Sequence, residues 1–477
     1  MSLLLPQLDL ASVTIGGREV TTADSFEVIN PATGEPFAVA PNITAAQLDD
    51  AFAAANTAQL TWRKDEQGRR AALRAAADAI DAAAPTLAGI LTAEQGKPLS
   101  DALSEIGTAT YWLRYYAELE IPKEIVQDDD NGYAEVLRRP LGVVAAITPW
   151  NFPIVLAMWK IAPALLAGNT MVIKPSPFTP LTTLALGAVL RDVLPAGVLN
   201  VVSGVDPLGA SMSAHPVPRK ISFTGSTATG KRVAAAAADD LKRLTLELGG
   251  NDPAIVLPGT DVAAIAPSLF WGAFGNNGQI CLAAKRVYAH ESVHAELVEA
   301  LAEIARGVRV DEGTVEGAQL GPINNLPQYN RVSELVADAL SNGARAAAGG
   351  RRIDRPGYFF EPTILDRIDD GIRIVDEEQF GPALPVVSYS SVEDAVGRAN
   401  ASMYALTASV WGSDLDEAYA VAGSIDSGQV SINSHGGAVL PHLPFGGHKW
   451  SGIGVENGPW GLYGFTELQV IQSPPRG

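Results

Sequence analysis

The chain has 477 residues, of which 47% are hydrophobic and 18% charged, and it contains one cysteine. This length exceeds what a single hydrophobic core usually serves, so we expect two or three domains. The formal net charge of −19 argues against nucleic acid and anionic membrane surfaces as partners. One cysteine excludes an internal disulfide framework and fits a reducing compartment.

We expect neither a signal peptide nor a membrane span in this sequence. Residues 1–6 lack a basic region and a cleavage site, so we expect no signal peptide. The most apolar region, residues 143–168, is interrupted by Lys160 and several prolines, which argues against a membrane span. We therefore expect a cytoplasmic protein.

The first third of the chain moves from strands to helices and back. Residues 1–40 alternate strand-like runs with turn signals, and residues 44–119 show an alanine-rich helical pattern interrupted by Pro85 and Gly96. Residues 135–147 return to a strand pattern.

Strand and helix signals then alternate regularly between residues 170 and 248. This alternation is typical of βαβ units and predicts a parallel, doubly wound sheet of the nucleotide-binding kind. The pattern resumes after Glu247 and runs to about Pro444, which indicates a second α/β domain, and residues 465–472 read as a final strand. The predicted elements of the first unit are strands at 171–174, 198–202 and 220–224, with helices after Pro180, after Gly204 and over 226–237.

Two stretches carry candidate chemistry. The strand over residues 244–247 ends in the Glu247 carboxylate, followed by Gly249 and Gly250, which free the backbone to turn. The alternative reading is a half-buried strand with Glu247 on its wet face. The only cysteine, Cys281, follows small and polar residues and precedes a strand-like segment, so a substrate can reach it there. The alternative is a small buried hydrophobe.

Two other motifs match known signatures only superficially. The run His290-Glu-Ser-Val-His294 fits the zinc-hydrolase pattern H-E-x-x-H, which needs both imidazoles on one helix face. Because residues 287–290 read as a strand end and Ser292 as a helix N-cap, we expect the histidines not to converge and no metal to bind. Gly225–Lys231 resembles a P-loop, but Arg232 replaces the Mg²⁺-binding hydroxyl residue.

The sequences Glu247-Leu-Gly-Gly250 and Gly278-Gln-Ile-Cys281 together resemble the E-L-G-G and G-Q-x-C motifs of the aldehyde dehydrogenase superfamily. The resemblance covers nearly the whole chain. It implies an α/β fold of two doubly wound parallel-sheet domains with a small β oligomerisation arm, and a homodimer or homotetramer. The implied divisions are a cofactor-binding domain at 1–117 and 141–246, a catalytic domain at 247–446, and an arm and tail at 118–140 and 447–477.

The resemblance also implies NAD(P)-dependent oxidation of an aldehyde to the carboxylic acid through a cysteine thiohemiacetal and thioester. Cys281 would be the nucleophile and Glu247 the general base. Residues 147–153 resemble the T-P-W-N-x-P loop, which gives Asn151 the oxyanion role; its alternative is a turn-stabilising asparagine. Lys160 and Glu456 match partners of the general base, or form an ordinary ion pair.

NAD or NADP contacts follow from the same resemblance. Ser226 would cap a helix whose N-terminus faces the pyrophosphate. Pro177 stands where NAD-preferring relatives often carry a glutamate, so we expect both cofactors to be used. The matching cofactor positions are Trp150, Lys174, Gly225, Ser226, Gly249, Glu378 and Phe380.

The implied substrate pocket is apolar, which favours an uncharged aliphatic or aromatic aldehyde. Gly275 replaces an often aromatic residue and predicts a wide entrance. The pocket positions are Phe152, Leu156, Trp159, Gly275, Ile280, Leu282 and Phe445. The alternatives are a CoA-acylating semialdehyde dehydrogenase, which needs no base such as Glu247, a zinc hydrolase using His290 and His294, and a non-catalytic family member.

Overall fold

The structure is a computed structural model that describes residues 12–436 and 439–476. The expectation of no signal peptide rests on residues outside this part of the chain. The described strands are β1 Ser12–Ile15, β2 Arg18–Thr21, β3 Asp24–Asn30, β4 Glu35–Asn42, β5 Glu124–Asp129, β6 Gly132–Pro140, β7 Val143–Ile147, β8 Thr170–Lys174, β9 Leu199–Val201, β10 Lys220–Thr224, β11 Arg243–Glu247, β12 Asp252–Val256, β13 Ala284–His290, β14 Arg345–Ala348, β15 Thr363–Asp366, β16 Ala383–Tyr389, β17 Tyr404–Ala405, β18 Thr407–Trp411, β19 Gln429–Ile432, β20 His448–Lys449, β21 Gly452–Ile453 and β22 Thr466–Ser473.

The described α-helices are α1 Ala45–Trp62, α2 Glu66–Gln95, α3 Leu99–Glu118, α4 Pro153–Leu166, α5 Leu181–Leu190, α6 Leu208–Ala214, α7 Thr227–Ala238, α8 Val262–Phe274, α9 Glu291–Gly307, α10 Leu326–Ser341, α11 Arg373–Asp376, α12 Val392–Asn400, α13 Leu415–Ala422 and α14 Gly458–Tyr463. A 3₁₀ turn spans Gly275–Gly278.

The first large sheet has eight strands in the order β2-β1-β9-β8-β7-β10-β11-β21. Its five central strands are parallel, and antiparallel strands close both edges. The strands β8 and β10 are buried along their whole length, as expected for parallel strands covered by helices on both faces. This arrangement confirms the predicted doubly wound sheet.

A second sheet of seven strands has the order β14-β15-β16-β13-β12-β18-β19, and only its edge pair β14–β15 is antiparallel. The strands β11 and β12 belong to different sheets, and the turn containing Gly249 and Gly250 joins them. Glu247 therefore lies at the junction between the two sheets. The domain boundaries implied by the resemblance stay predictions.

A small antiparallel sheet joins β5 and β6 to the C-terminal strand β22. The side chains of Ile125, Val126, Leu468 and Val470 are exposed on these strands. This sheet lies where the oligomerisation arm is expected, and its role in assembly stays a prediction.

Local signals account for most element boundaries. Thr44 and Gln47 form a reciprocal capping box that starts α1. Pro85 lies inside α2 without ending it, whereas Gly96, with a left-handed φ of 98°, ends the helix. Among the described residues, none of the helices combines the length and apolar character needed to cross a bilayer.

Candidate active site

The segment before Cys281 is a tight turn built on two left-handed asparagines. Asn276 and Asn277 have φ values of 48° and 59°, a conformation that asparagine adopts more readily than most residues. Gln279 fixes the turn because its amide donates to the Asn276 carbonyl while its side-chain oxygen accepts from the Asn324 backbone. Cys281 follows in a turn immediately before β13, so its side chain is presented by a braced loop.

Two cavities meet at Cys281. We name these cavities after the roles predicted for their lining residues: the first, with a volume of about 340 Å³, is the aldehyde cavity, and the second, of about 190 Å³, is the cofactor cavity. Cys281, Asn151 and Leu156 line both. The aldehyde cavity also contains the predicted pocket residues Phe152, Trp159, Ile280 and Leu282, and the cofactor cavity contains the predicted residues Trp150, Gly225, Ser226, Gly249, Glu378 and Phe380.

Hydrogen bonds hold Asn151 through both its side chain and its backbone carbonyl. Its side-chain nitrogen donates to the Gln279 carbonyl at 2.9 Å, and its own carbonyl accepts from Asn276 at 3.2 Å. An amide nitrogen carries two hydrogens, so one remains for a ligand in the cavity. The predicted loop residue and the predicted nucleophile are therefore placed together.

Glu247 lies at the end of β11 with its side chain buried, and neither carboxylate oxygen has a hydrogen-bond partner within the described chain. Burial raises the pKa of this carboxyl well above its usual range, and the neighbouring Glu456 carboxylate adds to that rise, whereas Lys160 opposes it. Lys160 donates to Glu456 at 2.6 Å and to Thr224 at 2.7 Å. An unpaired, buried carboxyl of this kind is suited to exchanging a proton with water.

Burial raises the pKa of the Cys281 thiol, and the carboxylates of Glu247, Asp252 and Glu378 reinforce the rise. Lys285 opposes this effect. In the protein without ligand, the thiol form therefore predominates near neutral pH.

Alkylation of the free protein by iodoacetamide should therefore be slow near neutral pH. Its rate should climb about tenfold per pH unit beyond about pH 8.5, where an ordinary thiol begins to level off. Because Cys281 is the only cysteine, mass spectrometry of the intact protein measures this rate directly. A plateau well below the ordinary thiol pKa would contradict the electrostatics described above.

The cofactor cavity is shaped by close backbone approaches. The Glu378 carboxylate accepts from the Gly250 backbone at 3.0 Å, and a Cβ atom on Gly249 would lie 2.6 Å from Glu378 Oε2. Phe380 has a left-handed φ of 45° and packs edge-on against Trp150, with ring centroids 5.3 Å apart. Ser226 accepts from the Thr229 backbone and caps α7, as predicted.

These features fit a dinucleotide. An aromatic wall, a carboxylate for ribose hydroxyls and a helix N-terminus for phosphates line one cleft. Gly249 leaves space there that any side chain would fill.

Six predicted positions lie outside the linings of both cavities: Glu247 with its neighbours Lys160 and Glu456, described above, and Lys174, Phe445 and Gly275. Lys174 is buried at the end of β8, donates to the Pro175 carbonyl, and has its pKa lowered to about 8 by burial. Phe445 does not line the aldehyde cavity, because it packs behind Trp159 with ring centroids 5.2 Å apart. Gly275 lies beside Ile280, where a Cβ atom would make ordinary contact at 3.4 Å.

Sequence reasoning missed one whole wall of the aldehyde cavity. The part of α3 up to Trp112, together with the preceding turn, contributes polar and aromatic side chains that recur at helical spacing. This helical spacing is the signal in the sequence that could have identified the wall. The same spacing is equally typical of a helix face exposed to solvent, so it does not identify a cavity by itself. The missed residues here are Lys97, Asp101, Ser104, Glu105, Thr108 and Trp112, and Gln328 and Arg331 of α10 were missed in the cofactor cavity.

The two histidines of the H-E-x-x-H match do not converge. His290 is the N-cap of α9 and accepts from the Ser292 backbone, so the cap is His290 and the prediction of Ser292 was wrong. An imidazole nitrogen can accept from one of the free N–H groups in the first turn of a helix, as a hydroxyl oxygen does. His294 instead bonds to the Val386 carbonyl. Within residues 12–436 and 439–476, no group of three or more metal-binding side chains is found.

Comparison with known proteins places the chain in a family. The sequence model described as the aldehyde dehydrogenase family matches residues 19–471. Human retinaldehyde dehydrogenase 3 is 38% identical over 463 residues, covering 95% of this chain and 90% of its own length. An NAD⁺ complex of aldehyde dehydrogenase from Bacillus cereus superposes with a TM-score of 0.95 at 34% identity, covering 98% of this chain and 97% of the other. An NADP-dependent enzyme of E. coli gives a TM-score of 0.94 at 34% identity, covering 97% of this chain and 98% of the other. The chain therefore belongs to the aldehyde dehydrogenase family, the NAD(P)-dependent enzymes that oxidise aldehydes.

Proposed function

We propose that the protein oxidises an aldehyde to the carboxylic acid through a covalent intermediate on Cys281. The observation that carries the proposal is that Cys281 and Asn151 line both cavities at once. An aldehyde in one cavity and a nicotinamide in the other would then meet at the same thiol.

The geometry of the site and the family membership support the following roles for its residues. The Cys281 thiol loses its proton to solvent and the thiolate attacks the aldehyde carbon. The oxygen that becomes negative accepts hydrogen bonds from the Asn151 side chain and the Cys281 backbone N–H. One such donor is worth roughly 3 kcal/mol in the transition state. After oxidation to the thioester, Glu247 takes a proton from water, and the hydroxide formed releases the acid. Lys160 favours the charged form of this base, whereas its ion-pair partner Glu456 disfavours it.

NAD or NADP supplies the hydride acceptor when bound. Glu378 would hold a ribose, Phe380 and Trp150 would pack against the ring system, and the N-terminus of α7 at Ser226 would face the phosphates. Gly225 and Gly249 would allow the backbone to approach closely, and Lys174 would contribute through the adenosine end of the cleft.

The apolar wall formed by Phe152, Leu156, Trp159, Ile280 and Leu282 supports an uncharged aliphatic or aromatic substrate, whereas α3 and the turn before it contribute polar residues to the same cavity. Phe445 would act behind Trp159 rather than at the mouth. Cytoplasmic location and homo-oligomerisation remain predictions from the sequence.

A panel of aldehydes assayed with NAD⁺ and NADP⁺ tests this function through the absorbance of the reduced nicotinamide. Apolar aldehydes should be oxidised without added coenzyme A, because Glu247 supplies the base for hydrolysis. Absolute dependence on coenzyme A would favour the acylating alternative and overturn the proposal.

The choice between NAD⁺ and NADP⁺ should be weak in this protein. Pro177 brings no carboxylate to bond ribose hydroxyls or to repel a 2′-phosphate, and the buried Lys174 ends the neighbouring strand. We expect kcat/KM values for the two cofactors within about two decades, each decade being roughly 1.4 kcal/mol.

The matched variant is Pro177→Glu, which should shift the kcat/KM ratio toward NAD⁺, with Pro177→Ala as the neutral control. If the wild type strongly rejects NADP⁺, or if Pro177→Glu leaves the kcat/KM ratio unchanged, a contact other than residue 177 determines the cofactor preference.

A further inference from the structure

A buried ion pair braces the loop that carries Asn151. Lys97 Nζ lies 2.6 Å from Glu105 Oε2, and neither side chain is exposed. Lys97 follows the end of α2, and Glu105 lies in the second turn of α3. Both residues therefore precede the loop by some fifty positions in the chain, and they reach it only through tertiary packing.

Lys97 contacts the loop itself, and Glu105 contacts the first turn of α4, which follows the loop. Lys97 Nζ donates to the Asn151 carbonyl at 3.0 Å and lies over the Phe152 ring at 3.7 Å. Glu105 Oε1 accepts from the backbone N–H groups of Ile154 and Val155, the first turn of α4. The three ammonium hydrogens thus face a carboxylate, a carbonyl and an aromatic ring, and the network is fully satisfied.

The backbone turn that contains Lys97 is held in place by close contacts with another segment of the chain. The backbone N–H of Leu99 donates to the Gly313 carbonyl at 2.9 Å. A Cβ atom on Gly313 would lie 2.3 Å from the Lys97 carbonyl oxygen, and one on Gly321 would lie 1.9 Å from that of Gly96. The turn that contains Lys97 therefore packs tightly against the backbone at Gly313 and Gly321. Because the position of this turn is fixed, the Lys97 side chain can hold Asn151 in a fixed position.

We propose that Lys97 and Glu105 are positioning residues that hold Asn151 where the reacting oxygen becomes negative. This rests on the oxyanion role proposed above for Asn151. A shift of about 1 Å in such a donor costs up to about a hundredfold in rate. A buried pair suits this task because each partner would leave hydrogen bonds unmade if the loop moved away: Lys97 the bond to the Asn151 carbonyl, and Glu105 the bonds from the α4 backbone.

The test uses the double variant Lys97→Met/Glu105→Gln, which keeps side-chain volume and leaves an acceptor for the α4 backbone. The readout is the single-turnover rate of reduced-cofactor formation, which we expect to fall about 10- to 100-fold. The loss should be similar for short and long aldehydes, whereas direct substrate contact would make it depend on the aldehyde. Lys242→Met, which removes a buried ion-paired lysine outside both cavities, is the matched control and should leave the rate unchanged.

The decisive comparison repeats the double variant in an Asn151→Ala background. If the pair acts through Asn151, the further loss there should be less than about threefold, because coupled residues are not additive. A full 10- to 100-fold further loss, or a wild-type rate for the double variant, would overturn the inference. If the double variant does not fold, Glu105→Gln alone carries the same comparison. A wild-type rate for Asn151→Ala alone would instead overturn the proposed function.

Discussion

Cys281→Ser is expected to reduce aldehyde oxidation by about 10⁴-fold or more, because a hydroxyl is far less nucleophilic than a thiolate and no other cysteine is present. The measurement is steady-state formation of reduced cofactor with the best aldehyde of the panel. The fold should be retained, because serine is nearly isosteric and the turn is held by Asn276, Asn277 and Gln279.

The control for that variant is its thermal unfolding temperature together with its affinity for NAD⁺, both of which should match the wild type. Cys281→Ala should lose activity to the same degree. Near-wild-type oxidation by either variant would remove Cys281 from the centre of the site.

Glu247→Gln should complete one hydride transfer per site and then stall at the thioester. The amide keeps the shape of the side chain but cannot take a proton from water, so hydrolysis should fall by about 10²- to 10⁴-fold. Rapid mixing should show a burst of reduced cofactor equal to the number of sites. Mass spectrometry should find the acyl group on the single cysteine.

Two controls sharpen the Glu247 result. Hydroxylamine should release the trapped acyl group, because it attacks a thioester without a general base. In the wild type the hydrolysis step should accelerate as pH rises, since the raised pKa of Glu247 leaves the carboxyl protonated at lower pH. That dependence should vanish in Glu247→Gln. Steady turnover of the variant at the normal rate would mean that another group is the base.

The local parts of the site could be predicted from the sequence, and the tertiary parts could not. Glu247 at the end of β11 and Ser226 at the cap of α7 depend on signals within a few residues. The brace of Lys97 and Glu105 depends on how α3 packs on α4, which no local pattern encodes. Phe445 illustrates the same limit, because a motif identifies a residue but not its depth behind Trp159.

The C-terminal segment has a consequence for how the protein is handled. Within about twenty residues it provides β21, whose Gly452 pairs with Glu247, then Glu456 beside Lys160, and finally β22, which pairs along β6. This short segment therefore connects the small sheet of β5, β6 and β22 to Glu247, the proposed general base. A truncation that removes this segment would take away both the strand that pairs with Glu247 and the partner of Lys160, so we expect it to disturb the surroundings of the proposed general base as well as the small sheet.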